Sequence, residues 1–359
     1  MSGVEERNNS GQYYVNMRLG VAKTKSKENF PEFNESSEIY KLLTDLIEVN
    51  AKGFRGVVVT AITGLYLDEF YDPINNFYDC NPRSIFEGGI WYALQENNIP
   101  CGKSDPLNVA KNANQLNEDW AKGRRPQSAA MAVVRFLEMI MSSGKTNRAI
   151  LIDYFFFRLY KYAESITSYE IVDIDSSTSK QELGNRLIEF TLKYPESGNL
   201  PQFLVAQLLS NVFHSSETQV IGGEESVFGT NTTSKKPADI WLENNGTQTN
   251  LYEITVKPVS KKRLDDSLGA LKSTGHINNS VTFICRIPYD IKDLEVNNGS
   301  YTYKGKSFDF VDYHTFCSSL IAILNKKKFD NVLNRTAEFV QDMHISMKTK
   351  AGWNEFFTD

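Results

Sequence analysis

The stretch from Lys235 to Lys257, KKPADIWLENNGTQTNLYEITVK, leaves few folding options, because an apolar strand, a turn and a second strand follow one another within it. Asp239 opens the first strand, Asp239 to Leu242, and Asn244, Asn245 and Gly246 supply turn chemistry. Leu251 to Lys257 reads as the returning strand. Side chains alternate along a strand, so Glu253, Thr255 and Lys257 share one face while Ile254 and Val256 take the other. The chemistry these residue types suit is a divalent-metal site. Asp239 and Glu253 are expected to ligate Mg²⁺, with the Ile254 backbone carbonyl as a further ligand and Lys257 steadying a water nucleophile or a phosphate. Thr255 is placed to hydrogen-bond the same water or phosphate. An exposed hairpin carrying a plain E-x-T-x-K row would show the same alternation, so the flanking elements have to decide.

Those flanks continue the pattern. Leu200 to Phe213 reads as a helix, Gln219 to Gly222 as a strand, Lys261 to Ser273 as a helix through Leu264, Leu268 and Leu271, and Val281 to Ile287 as a strand. The order is helix, three strands, helix, strand, within an α/β fold. With acidic residues on the second and third strands, residues 197 to 290 resemble the PD-(D/E)XK nuclease core. Two departures stand out: Pro237-Ala238-Asp239 carries an extra residue inside the Pro-Asp pair, and Thr255 stands where that family's lysine usually sits. Lys257, two residues on, has a stem long enough to reach back along the strand. Ser234, Lys235 and Lys236 precede Asp239 and are candidates to meet the phosphate beside the cut. Glu224, Glu225 and Gln207 form a second tier, the first two as extra carboxylates. Lys261, Lys262 and Arg263 read as a cationic rim on the far side of the hairpin.

The N-terminal half reads as mainly helical. Helices are expected over Glu38 to Glu48, Ser84 to Asn97 and Ala129 to Ser142, the last capped by Ser128. Between Tyr78 and Gln127, turn signals are interleaved with cations, and Arg83, Lys103, Arg124 and Arg125 are candidates for contacts to phosphates and base edges. Gly102-Lys103-Ser104 is not a P-loop, since Asn97 occupies the place of the required upstream glycine. The phrases YDCNPRSIFEGGI, NIPCGKSDPLNVAKN and FGTNTTSKKPADIW resemble the SacI-type restriction endonucleases. That resemblance implies a Mg²⁺-dependent enzyme that cuts double-stranded DNA at a short palindrome, works as a homodimer, and has a cognate DNA methyltransferase as its genetic partner. A decayed nuclease core that only binds DNA, and a repair or structure-specific nuclease, remain open alternatives.

Asp173 to Gln181 is polar and reads as a linker, dividing a helical region, 1–175, from a nuclease core with C-terminal helices, 176–359. Helices are expected over Phe308 to Asn325 and Asn331 to Ile345, with Lys326-Lys327-Lys328 as the turn between them. The aromatic run Tyr154 to Phe157 suggests a buried helix face or a subunit contact more than a base-stacking platform. A net charge of -5 argues against a non-specific nucleic-acid coat, though not against an enzyme with one basic groove. No apolar run reaches membrane-spanning length and Met1 to Ser10 is polar, so no membrane partner and a cytoplasmic location are expected. The four cysteines and four histidines are dispersed, without the spacing of a structural zinc site.

Overall fold

The computed structural model describes residues 3–174, 177–223 and 236–358. The chain divides into two compact units, Met1–Tyr169 and Glu170–Asp359, a boundary slightly ahead of the 175/176 division expected from the polar linker. Polar composition located the linker. The boundary itself is set by where packing begins, and the segment after Tyr169 already belongs to the second unit: Ile171 and Val172 donate backbone N–H groups to Gln341 and Asn354.

The first unit is helical. Its longer helices are Gly3–Lys23, Glu38–Ile47, Gly53–Leu67, Gln127–Ser142 and Lys145–Thr167. Gly53 to Gly64 is buried at every position, which is why no amphipathic period marks it. Tyr154, Phe155, Phe156 and Phe157 lie in the core, as a buried helix face requires. The expected helix from Ser84 to Asn97 is present as Pro82–Ile85, a π-helical turn Phe86–Ile90, and Trp91–Glu96. Gly89 lies within that turn, where any side chain would overlap the Asn8 carbonyl of the first helix. Ser128 is not a cap: the helix starts at Gln127 with Pro126 in the capping position, where a fixed φ supplies the entry geometry instead of a hydroxyl.

The second unit is a mixed α/β layer structure. Its strands are β1 (Thr218–Gly222), β2 (Ile240–Asn244), β3 (Thr247–Ile254), β4 (Val281–Cys285), β5 (Ser300–Tyr303) and β6 (Lys306–Asp312), in the spatial order β1-β2-β3-β4-β6-β5. β1-β2-β3 is an antiparallel meander, β3-β4 and β4-β6 are parallel, and β5 closes the edge antiparallel to β6. One sheet face, through Ile240, Ile254 and Ile284, packs on the helices Lys180–Lys193, Asn199–Phe213, Tyr313–Ile323, Lys326–Gln341 and Met347–Phe357. The other, through Trp241, Leu251, Val281, Phe283, Phe308 and Phe310, is covered by Leu264, Leu268 and Leu271 of the helix Lys261–Thr274. That helix is the crossover that the parallel β3-β4 pair requires.

Several sequence-derived boundaries move. Phe308 to Asn325 is not one helix: β6 occupies its first part, and Asp312 then caps Tyr313–Ile323 by accepting the Thr315 N–H. Lys326, Lys327 and Lys328 are the first turn of Lys326–Gln341, capped by Asn325, and not the turn between helices. β3 ends at Ile254 instead of running to Lys257, because Thr255 begins a bend in which its hydroxyl accepts the Lys257 N–H at 3.1 Å. Among the described residues no helix is long and apolar enough to cross a membrane.

The connection after β3 is pinned from below. Buried Asp290 accepts from the Arg286 side chain at Nε (2.9 Å) and Nη2 (2.8 Å), and Arg286 donates to the Val256 carbonyl at 2.5 Å. The Asp290 carbonyl takes the Val259 N–H at 2.7 Å. Replacing Asp290 with Ala is expected to cost about 1–3 kcal/mol, because it strands a charged donor that is only part-exposed. Urea unfolding of the variant tests this; a loss below about 0.5 kcal/mol would show that the connection does not depend on this pair.

Candidate functional site

Asp239 and Glu253 meet at the open end of the β2-β3 hairpin. Asn245 and Gly246, both at positive φ, make the tight turn that the Asn-Gly pair favours. A bulge at Thr249 shifts the register, so that Ile240 pairs with Tyr252. Continued one step outward, that register sets Asp239 opposite Glu253, on the sheet face that carries Trp241 and Leu251 and that Lys261–Thr274 covers. Like charges directly opposed across a strand pair repel, so a cation or a proton has to accompany them.

Both are present. Nη2 of Arg263 donates to Glu253 at 2.8 Å and to Asp239 at 3.3 Å, bridging the two carboxylates with one nitrogen. Asp239 also accepts the Ile254 N–H at 3.0 Å. Glu253 is almost fully enclosed, with 9% of its side chain exposed against 28% for Asp239 and 41% for Arg263. Burial raises both carboxyl pKa values. For Glu253 the Asp239 charge adds to the rise and takes it to about 8, while Arg263 pulls both down without cancelling the effect. The carboxyl groups also hydrogen-bond each other, which favours the proton on Glu253. Lys236 is a second cation whose field reaches Asp239.

Local sequence explains why Arg263 arrives here. Ser260 caps the crossover helix by accepting the Arg263 N–H at 3.3 Å, so Arg263 sits in the first turn, at the end of the helix that adjoins the end of β3. On β1, a side chain at Gly222 would overlap the Asp239 carbonyl oxygen, and Gly222 holds φ +90°, a region open to glycine.

The remaining sequence-derived candidates are distributed as follows. Lys257 is exposed on the bend after β3 and pairs with neither carboxylate; Thr255 is half-buried, engaged with Lys257. Ile254 contributes its N–H to Asp239. An extended residue points N–H and C=O to the same edge, which directs the Ile254 carbonyl to the side where Asp239 stands. Ser234, Lys235, Glu224 and Glu225 lie outside the described residues. Gln207 is buried within Asn199–Phe213. In the helical unit, Arg83 is ion-paired with Glu87 at 3.1 Å, and Lys103 lies over the Trp91 and Tyr92 rings at 4.9 and 5.0 Å. These two gather around one helical stretch, since Ser104 also donates to Glu87. Arg124 donates to the Lys111 carbonyl across the short helix Glu118–Lys122, and Arg125 to the nearby Lys122 and Arg124 carbonyls. Arg263 is the residue that sequence reasoning left in a generic rim. A serine at position 260 is a signal that could have marked its helix start, but not the direction of its side chain.

Among the described residues no group of three or more His, Cys, Asp or Glu side chains gathers in metal-binding geometry. Mg²⁺ does not need one: it keeps several waters and uses one or two carboxylates plus substrate phosphate. The donor set of two carboxylates and a peptide carbonyl is all oxygen, so the residues present fit a hard divalent cation. No protein-family model matches the chain, and no curated protein matches it.

The titration of Glu253 has a stability consequence. A folded-state pKa raised above the unfolded one adds stability that is full below the ordinary carboxylate value and is lost as pH rises through the folded value. The metal-free protein is therefore expected to lose thermal stability between about pH 5 and about pH 8 from this group, and Glu253→Gln to flatten that decline. Scanning calorimetry of both proteins across the range decides it; equal slopes would show that Glu253 ionises normally.

Proposed function

We propose that the chain is a Mg²⁺-dependent endodeoxyribonuclease of PD-(D/E)XK type, acting as a site-specific restriction enzyme on double-stranded DNA. The observation that carries this reading is the buried, opposed pair Asp239 and Glu253 on adjacent strands at the mouth of a mixed sheet, followed by a crossover helix and a parallel strand. Bound Mg²⁺ would supply Lewis-acid neutralisation of a phosphate oxygen and an acidified water. Asp239, Glu253 and the Ile254 carbonyl would hold the ion, the proton on Glu253 being given up as it binds. Lys236 stands just ahead of the carboxylates in sequence and would meet the DNA backbone; Thr255 would hydrogen-bond the phosphate or the water. Arg83, Lys103, Arg124 and Arg125 are proposed for DNA contact, where a local partner such as Glu87 gives way to phosphate. A homodimer matching a palindromic site, and a neighbouring cognate methyltransferase, complete the proposal.

Phage DNA incubated with the purified protein and Mg²⁺ is expected to give discrete fragments, and none in EDTA. Asp239→Ala and Glu253→Ala are each expected to lower the cleavage rate by about 100-fold or more, since each removes several kcal/mol of charge stabilisation in the transition state. Intact DNA under every condition, with metal-independent DNA binding retained, would assign the chain to the non-cutting alternative; cleavage without discrete bands would favour a structure-specific nuclease.

A further inference from the structure

We infer that Arg263, and not Lys257, is the cation that takes the phosphate in this site, and that in the metal-free protein it occupies the place of the ion. The inference rests on the metal-dependent nuclease reading above. Its basis is geometric. One guanidinium nitrogen bridges the two carboxylates that would hold a divalent ion, at 2.8 and 3.3 Å. A divalent ion held by the same two carboxylates would repel the guanidinium beside it, so ion binding would weaken the hold on Arg263. Charge would then decide where it goes: with the two carboxylates neutralised by an ion, the guanidinium would be left as a surplus positive charge, and a phosphodiester brings one negative charge. Arg263 is 41% exposed on its side chain, so part of it already faces solvent, where a DNA backbone would lie. The guanidinium fork suits a phosphate, while its permanent charge keeps it from acting as a base. Lys257, by contrast, is turned out by the Thr255 bend and touches neither carboxylate.

Three variants separate the roles: Arg263→Met, Arg263→Lys and Lys257→Met. Mn²⁺ affinity without DNA, read by electron paramagnetic resonance, reports on competition for the carboxylates. Removing the competing cation is expected to tighten Mn²⁺ binding in Arg263→Met by about tenfold, the equivalent of one modest ion pair. Cleavage of phage DNA with Mg²⁺ by the same variant is expected to fall by about 100-fold, as for loss of one charge-stabilising donor. Arg263→Lys keeps the charge without the fork and is expected to bind Mn²⁺ as the parent does while cutting about tenfold more slowly. Should Arg263→Met not fold, this second variant carries the test. Lys257→Met is expected to cut within about threefold of the parent. Unchanged Mn²⁺ affinity in Arg263→Met, parental cutting by Arg263→Met or Arg263→Lys, or loss of cutting confined to Lys257→Met would overturn the assignment. A parent protein that neither binds Mn²⁺ nor cuts would instead remove the nuclease reading on which it rests, an outcome visible before any variant is made.

Discussion

Two carboxylates facing each other across a hairpin, one of them almost wholly enclosed, set the terms for the second unit. Alone, each would be costly to bury, and together they repel. The fold resolves this with a guanidinium, a peptide N–H and a retained proton. None of the three is a strong permanent solution. A proton with a pKa near neutrality exchanges readily, and a half-exposed arginine gains little from an ion pair in contact with water. Held this way, the pair would exchange its partners for a stronger counter-ion, as the proposed function requires.

What makes the site well defined is its surroundings. Beneath β3, Asp290 and Arg286 fix the carbonyl of Val256 and the amide of Val259, so the chain leaves the strand at a set angle. Ser260 then starts a helix whose first turn delivers Arg263. On the other flank Gly222 lets β1 pass beside the Asp239 carbonyl. The polar centre can be exchanged while the backbone holding it cannot.

Much of this was legible from residue pattern. The Asn-Gly turn, the alternating strand and the helices on either side of the hairpin all follow from local rules, whereas the register that sets Asp239 opposite Glu253 depends on a bulge that alternation does not reveal. Two kinds of feature were hidden. Gly53 to Gly64 contains the β-branched run Val57-Val58-Val59-Thr60 and is a helix, because complete burial erases periodicity and tertiary packing overrides propensity. β6 was read as part of a helix because Phe308 and Phe310 extend the apolar series of Tyr313–Ile323, and only the strand partner β4 distinguishes them. The direction of Arg263 belongs to the same class: helix position is encoded nearby, but side-chain direction depends on a sheet assembled from other segments.

The three groups of the centre, Asp239, Glu253 and Arg263, all fall between the residue just ahead of β2 and the first turn of the crossover helix. Bringing them together requires closing one tight hairpin and one short connection, both inexpensive in chain entropy. The remaining strands, β4 and β6, pair in parallel across longer separations and are slower to form. The chemistry of this unit is therefore encoded in a segment able to collapse early, and the rest of the sheet serves to exclude water from a constellation whose parts are already neighbours along the chain.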